Sequence, residues 1–83
     1  MLNTVTIMGR LTADPDLGQT PNNISVCKFT VAVEEDIPDK NGKRAAQFIS
    51  VIAWRQTAEF VSRNFTKGKF IIVQGRLKNN NYE

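Results

Sequence analysis

The chain has 83 residues, a net charge of +3, no histidine and one cysteine, and 41% of its residues are hydrophobic. This length suffices for one domain, residues 1–83, and the lack of histidine excludes most metal sites and nucleophile–base pairs. No apolar run approaches the roughly 20 residues of a membrane span and no signal peptide opens the sequence, so we expect a soluble cytoplasmic protein.

Alternating hydrophobic residues predict two strands in the first half of the chain. In residues 2–11 every second side chain from Val5 onward is apolar or glycine, which predicts one buried face, and Gly9 predicts a bend or bulge. Residues 12–23 contain turn residues and are predicted to form a long connection. Residues 24–34 alternate again and place Cys27 on the buried face, as a small core side chain and not a nucleophile.

A polar hairpin and a strand with two apolar faces follow. Residues 36–44 are predicted to form a long exposed hairpin, because they contain Asn41-Gly42, the strongest hairpin signal in the chain. Residues 46–54 are predicted to form the third strand. One face of this strand is aliphatic, as a barrel interior requires, and the other carries two aromatic rings.

A helix and a fourth strand are predicted in the last third of the chain. Residues 56–67 have apolar side chains at helical spacing, with Phe60 broadening the buried face and Gly68 stopping the helix. Residues 69–80 alternate as a strand does. This order of elements predicts an all-β oligonucleotide/oligosaccharide-binding (OB) fold, a Greek-key β-barrel with one helix between strands 3 and 4 and its fifth strand missing.

Charge is distributed unevenly along the sequence. Residues 1–39 carry two basic and six acidic side chains, a balance of −4, whereas residues 40–83 carry nine and two, a balance of +7. This asymmetry fits a polyanionic partner, and it fits equally a solvated surface that is unevenly charged. The candidate phosphate contacts are Arg10, Lys40, Lys43, Arg44, Arg55, Lys67, Arg76 and Lys78.

The aromatic side chains predict a surface for stacking bases. Phe48 and Trp54 share one face of the third strand, because side chains alternate along a strand. Exposed aromatic faces beside cations bind single-stranded nucleic acid without sequence preference. The alternative for both rings is packing in the core or at a subunit interface. Tyr82 is a third candidate, and a frayed terminus is the alternative there.

Carboxylate side chains occur in two clusters that could suggest an enzyme. Asp14 and Asp16 flank a proline in a turn, and residues 34–36 begin an exposed loop. No nucleophile or phosphate-binding loop accompanies either cluster, so we expect no enzymatic activity, no cofactor and no metal ion. A protein-interaction module and a nuclease or other hydrolase remain the competing hypotheses.

Short segments along the whole chain match one known family. They are Met1-Leu2-Asn3, Met8-Gly9-Arg10-Leu11-Thr12, Asp14-Pro15-Asp16-Leu17, Thr20-Pro21-Asn22, Phe29-Thr30-Val31-Ala32-Val33, Phe48-Ile49, Trp54-Arg55, Ala58-Glu59, Lys67-Gly68, Gly75-Arg76-Leu77 and Asn81-Tyr82-Glu83. Through these segments the chain resembles, over its whole length, the N-terminal domain of bacterial single-stranded DNA-binding proteins. The resemblance implies a sequence-independent binder that protects single strands in replication, recombination and repair, with Phe48, Trp54 and Tyr82 as the stacking residues. Ile37 falls near a fourth aromatic of the family, which implies a weaker contact there.

The resemblance also bears on assembly and on the end of the chain. It implies a nucleoid-associated homotetramer around which DNA is wrapped, with a dimer as the alternative for a fragment. The family domain continues with a hairpin arm, a fifth strand, a tail and an acidic tip that recruits replication and repair proteins. We therefore expect a C-terminally incomplete domain, and partner recruitment by the full-length protein only.

Overall fold

Five strands and one helix follow one another in the residues that the structure, a computed structural model, describes, which are 1–78. The strands form one antiparallel sheet, and the helix lies between the third and fourth of the predicted strands, so the predicted fold class is confirmed. The elements are β1 (Val5–Leu11), β2 (Asp16–Gln19), β3 (Ser25–Glu34), β4 (Ala46–Trp54), α1 (Arg55–Asn64) and β5 (Phe70–Gly75).

Strand β2 corrects the prediction that residues 12–23 form only a long connection. It pairs antiparallel with β3, from Asp16 opposite Lys28 to Gln19 opposite Ser25. A tight turn makes this pairing possible, because the Thr20 N–H donates to the Ile24 carbonyl at 3.0 Å. All four β2 residues are exposed, so the strand has no hydrophobic alternation that could have predicted it.

Strand β1 connects the two parts of the sheet. It pairs with β5 from Val5 to Arg10, and it pairs with β3 only at Arg10 and Leu11. The register with β5 is unbroken, so Gly9 does not form the predicted bulge in this ladder. A Cβ on Gly9 would instead overlap the backbone carbonyl of Ala32, which shows that glycine is needed for the close approach of β1 and β3.

The barrel is open between β4 and β5. Within residues 1–78, β4 pairs only with β3 and β5 pairs only with β1. The four predicted strands are therefore present together with β2, and no strand of the described residues joins these two edges. Both edges retain unpaired backbone groups.

The core lies between the inner faces of the strands and one face of α1. Cys27 is fully buried, as predicted; burial raises the pKa of its thiol and the charge of Asp16 raises it further, so the thiol stays protonated at neutral pH. This protonation makes Cys27 a packing residue, because the thiolate is the nucleophilic form. The buried residues are Leu11, Cys27, Phe29, Val31, Ala53, Ala58, Val61 and Ile71.

Helix α1 is shorter than the predicted 56–67 and buries a narrower face. It ends at Asn64, and Gly68 lies beyond the helix in a turn, where its N–H donates to the Leu11 carbonyl at 2.8 Å. Phe60 is 59% exposed, which corrects its predicted place on the buried face. At 3.6 residues per turn, Phe60 lies on nearly the opposite side of the helix from the buried Ala58.

Helix α1 is the one helix of residues 1–78, and it lacks the length and apolar character that a membrane crossing requires.

Candidate nucleic-acid interface

The outward side of β3 and β4 carries the two predicted stacking residues. Phe48 lies opposite Ala32 and Trp54 lies opposite Val26, and directly paired residues share one side of a sheet. Phe48 is 68% exposed and Trp54 is 51% exposed, so neither ring is packed in the core. We call this surface the β3–β4 outer face; it consists of Val26, Lys28, Thr30, Ala32, Phe48, Ser50, Ile52 and Trp54.

The inner side of β4 explains why these rings face outward. Val51 and Ala53 pack on the core of the barrel, and Ala53 is only 8% exposed. Because successive side chains of a strand point to opposite faces, their neighbours Ile52 and Trp54 must lie outside. The small aliphatic residues inside β4 thus fix the orientation of the aromatic residues outside.

Arg10 joins the β3–β4 outer face through a row of paired residues. It lies opposite Ala32, which in turn lies opposite Phe48, so one row crosses β1, β3 and β4. The guanidinium carbon lies 5.4 Å from the Phe70 ring centroid, and Nη1 donates to the Gly68 carbonyl at 3.2 Å. These contacts hold the charge of Arg10 at the surface, about two strand spacings, or ~10 Å, from Phe48.

Arg55 follows Trp54 at the corner between β4 and α1. Trp54 is still extended, whereas Arg55 has a φ of +58° in the left-handed region. A non-glycine residue there costs roughly 1–2 kcal/mol. The corner places an exposed cation beside the indole, at one side of an open cleft of about 560 Å³ that also contacts Asn23 and Ser25.

The hairpin between β3 and β4 is held by its own side chains. Asp39 Oδ1 accepts hydrogen bonds from the N–H groups of Asn41 and Lys43, both at 2.9 Å, and Gly42 has a φ of +78°. Arg44 Nη1 donates to the carbonyls of Glu35 and Asp36, so its guanidinium braces the base of the hairpin.

The hairpin side chains available to a ligand are those that point away from this frame. Lys40 and Lys43 are exposed, and Ile37 is 82% exposed. The hairpin rises from the end of β3 and β4 where Glu34 pairs with Ala46, which is the end nearer Phe48.

The other predicted residues lie apart from the β3–β4 outer face or outside the described residues. Lys67 is exposed in the loop before β5, and its backbone N–H donates to Asp14 Oδ1 at 2.8 Å. Arg76 and Lys78 are exposed beyond β5, which β1 separates from β3. Tyr82 lies outside the described residues.

Sequence reasoning did not select Lys28, which the structure places on the β3–β4 outer face. Lys28 is exposed and lies opposite Ile52. On the same face, the neighbouring pair is Val26 with Trp54. The signal was present in the sequence, because the alternation that buries Cys27 and Phe29 requires Lys28 to point outward.

The chemistry of this surface is suited to binding. In the described part of the chain, no three histidine, cysteine, aspartate or glutamate side chains are grouped so that they could hold a metal ion. The exposed rings of Trp54 and Phe48 are suited to stacking bases. Arg55 beside Trp54, and Arg10 across the sheet from Phe48, are suited to neutralising phosphates.

Comparisons with known proteins identify relatives of this chain. Over all 83 residues the chain is 46% identical to the single-stranded DNA-binding protein of Bacillus cereus and 46% identical to single-stranded DNA-binding protein A of Bacillus subtilis. It covers 49% and 48% of those proteins, so the chain spans about half the length of these curated relatives.

A solved structure gives the same result for the fold. The crystal structure of a deletion mutant of the single-stranded DNA binding protein from Thermus aquaticus matches 95% of this chain and 34% of that chain, with 40% identity and a TM-score of 0.80. This match confirms the predicted OB fold. Residues 2–83 match the model of the "Single-strand binding protein family". The chain therefore belongs to the single-strand binding protein family.

Proposed function

We propose that this chain binds single-stranded DNA without regard to sequence and protects it during replication, recombination and repair. Bases stack on Trp54 and Phe48, while Lys and Arg side chains follow the backbone. The observation that carries the proposal is the exposure of both rings on one face of the sheet, 51% and 68%. Every base has a flat face, so stacking on aromatic rings does not distinguish sequences.

The proposed phosphate contacts include two groups near the stacking face, and Lys67, Arg76 and Lys78 lie farther from it. Arg10 and Arg55 lie beside the stacking face, one near each ring, and the geometry of the sheet supports both. The hairpin cations reach a strand that passes the end of β3 and β4 near Phe48. The full proposed set is Arg10, Lys40, Lys43, Arg44, Arg55, Lys67, Arg76 and Lys78, with Tyr82 as a third stacking residue.

Titration with oligo-dT tests this function. Trp54 is the chain's only tryptophan, so its fluorescence should be quenched as bases stack on the indole. The affinity should fall with salt at a log–log slope of roughly −0.7 for each neutralised phosphate. Mixed-sequence oligonucleotides of equal length should bind within a few-fold of oligo-dT. If oligo-dT at low salt neither quenches Trp54 nor binds, the proposal is refuted. Release of cleaved product from labelled DNA would also refute it.

We further propose that the chain self-associates through the outer face of β1 and β5. Met8 and Ile72 lie opposite each other there and are 52% and 66% exposed, next to the half-exposed Phe70. A contiguous apolar face is typical of an interaction surface, and burial gains about 25 cal/mol per Å². The occupant proposed is a second copy, forming a dimer or, as the family resemblance implies, a tetramer.

Substitution of Ile72 by glutamate should dissociate the assembly. A charge buried in an apolar interface costs several kcal/mol, so sedimentation should show the Ile72→Glu variant as a smaller species than the unchanged chain. The matched control is Ile37→Glu, the same change at an 82% exposed position on the hairpin, which should not alter the species. A monomeric unchanged chain, or equal effects of the two variants, would contradict this interface.

The cellular setting follows from the proposed function. A protein that covers exposed DNA acts in the cytoplasm, associated with the nucleoid. We propose that only the full-length protein recruits replication and repair proteins. We propose no catalytic activity for this chain or for the full-length protein.

A further inference from the structure

The two stacking rings are too far apart to hold neighbouring bases. Phe48 and Trp54 are six residues apart on β4, which corresponds to about 20 Å along a strand. Stacked bases are ~3.4 Å apart along one strand. Even if that spacing is doubled, the span of about 20 Å leaves at least one nucleotide between the two bases that contact the rings. A DNA strand that contacts both rings must therefore cross the middle of the β3–β4 outer face.

A groove of about 310 Å³ occupies the middle of that face. Its floor is formed by β3 and β4 side chains between the two rings, and one wall is the loop that follows β1. The residues used below are Thr12, Asp14, Lys28, Thr30, Ser50 and Ile52, all of which line it. The groove thus lies on the path that the spacing of the rings requires.

The wall of the groove is held in place by hydrogen bonds. The Thr12 N–H donates to the Thr30 carbonyl at 3.1 Å, which attaches the loop to β3. Asp14 Oδ1 accepts the Lys67 backbone N–H at 2.8 Å, which attaches the loop to the segment before β5. The groove is consequently a built feature of the barrel surface.

Lys28 supplies the positive charge of the groove. Of the described residues that line it, only Lys28 is cationic. Asp16 is its cross-strand neighbour on β2, yet the sole ion pair within 4.0 Å among residues 1–78 is that of Arg63 with Glu59. The Lys28 ammonium is therefore not paired with Asp16 or with Asp14 and can meet an incoming anion.

We propose that this groove is a phosphate subsite, in which Lys28 neutralises the backbone between the nucleotides stacked on Phe48 and Trp54. The inference rests on the proposed single-stranded DNA binding and adds a residue to it. The Thr30 and Ser50 side chains, at the middle of the face, can donate hydroxyl hydrogen bonds to phosphate oxygens. Asp14 and Asp16 repel phosphates from the loop side and so direct the strand over Lys28. Because the subsite contacts the backbone and not the bases, it reads no sequence.

The test removes the charge of Lys28 while keeping its hydrocarbon stem. In Lys28→Met, the log–log salt slope for oligo-dT, measured by anisotropy of a labelled oligonucleotide, should become shallower by about 0.7. Lys28→Arg should keep the original slope. Arg63→Met is the matched control, since it removes an exposed cation from α1, away from the groove, and should also leave the slope unchanged.

Two further readouts separate this inference from the function on which it rests. Trp54 quenching by oligo-dT should persist in Lys28→Met, which shows that the variant is folded and still stacks bases. On a strand with uncharged methylphosphonate linkages, Lys28→Met and the unchanged chain should bind equally. An unaltered salt slope in Lys28→Met, with quenching intact, would overturn the subsite alone. Failure of the unchanged chain to bind oligo-dT would instead overturn the proposed function.

Discussion

Replacement of Trp54 by alanine should weaken oligo-dT binding by about 5- to 160-fold, which corresponds to the roughly 1–3 kcal/mol that one stacked base contributes. The indole is half exposed at the end of β4, next to the cation of Arg55. Its removal deletes a stacking surface but opens no cavity in the core. The loss of affinity should therefore be present under conditions in which the variant is fully folded.

The measurement must not depend on tryptophan, since Trp54→Ala removes the only intrinsic indole. Anisotropy of a labelled oligo-dT avoids this problem, and thermal unfolding followed by circular dichroism reports stability separately. Trp54→Phe should retain most of the affinity, because a phenyl ring still stacks. Phe60→Ala is the matched control, because Phe60 is a 59% exposed ring on α1, off the stacking face. Equal losses in Trp54→Ala and Phe60→Ala would contradict the placement of the site.

Replacement of Gly9 by alanine should destabilise the fold more than any surface change considered above. A Cβ at this position would overlap the Ala32 carbonyl and lie 2.9 Å from Val31 Cγ1. The obstacle is largely backbone, which cannot rotate away, so β1 and β3 must separate. Overpacking of this kind costs about 1–3 kcal/mol and occasionally more, out of a total stability of roughly 5–15 kcal/mol.

The control for Gly9→Ala is the same substitution at Gly18 in β2. An added Cβ at Gly18 meets nothing within 4 Å, so the expected change in melting temperature is small. Gly9→Ala should lower the melting temperature by several degrees at least, because 1 kcal/mol shifts it by about 4–8 °C in a domain of this size. Similar melting temperatures for the two variants would refute the argument from close approach.

Side-chain alternation made the faces of the long strands predictable. In β3 and β4 one face is buried, so the period of two assigns Cys27 inward and Trp54 outward without any coordinates. The short strand β2 gave no such signal, since its whole surface is exposed and only the turn from Thr20 to Ile24 fixes its pairing.

The relation of residues on different strands could not be predicted from the sequence. Arg10 and Phe48 are far apart in the chain, and only the register of β1, β3 and β4 brings them into one row. Alternation places Lys28 outward, but only the pairing of β3 with β4 shows that it lies between Phe48 and Trp54. Phe60 was misplaced because its helix packs one narrow face, occupied by Ala58 and Val61.

The pairing of β1 with β5 has a consequence for biosynthesis. A ribosome delivers Val5–Leu11 early, but the strand that completes the β1 ladder, Phe70–Gly75, emerges only after every other described element. Long-range pairings of this kind are formed slowly, within about milliseconds to seconds in small β-rich domains. The nascent chain must wait with an unsatisfied strand edge, which is the condition that holding chaperones relieve.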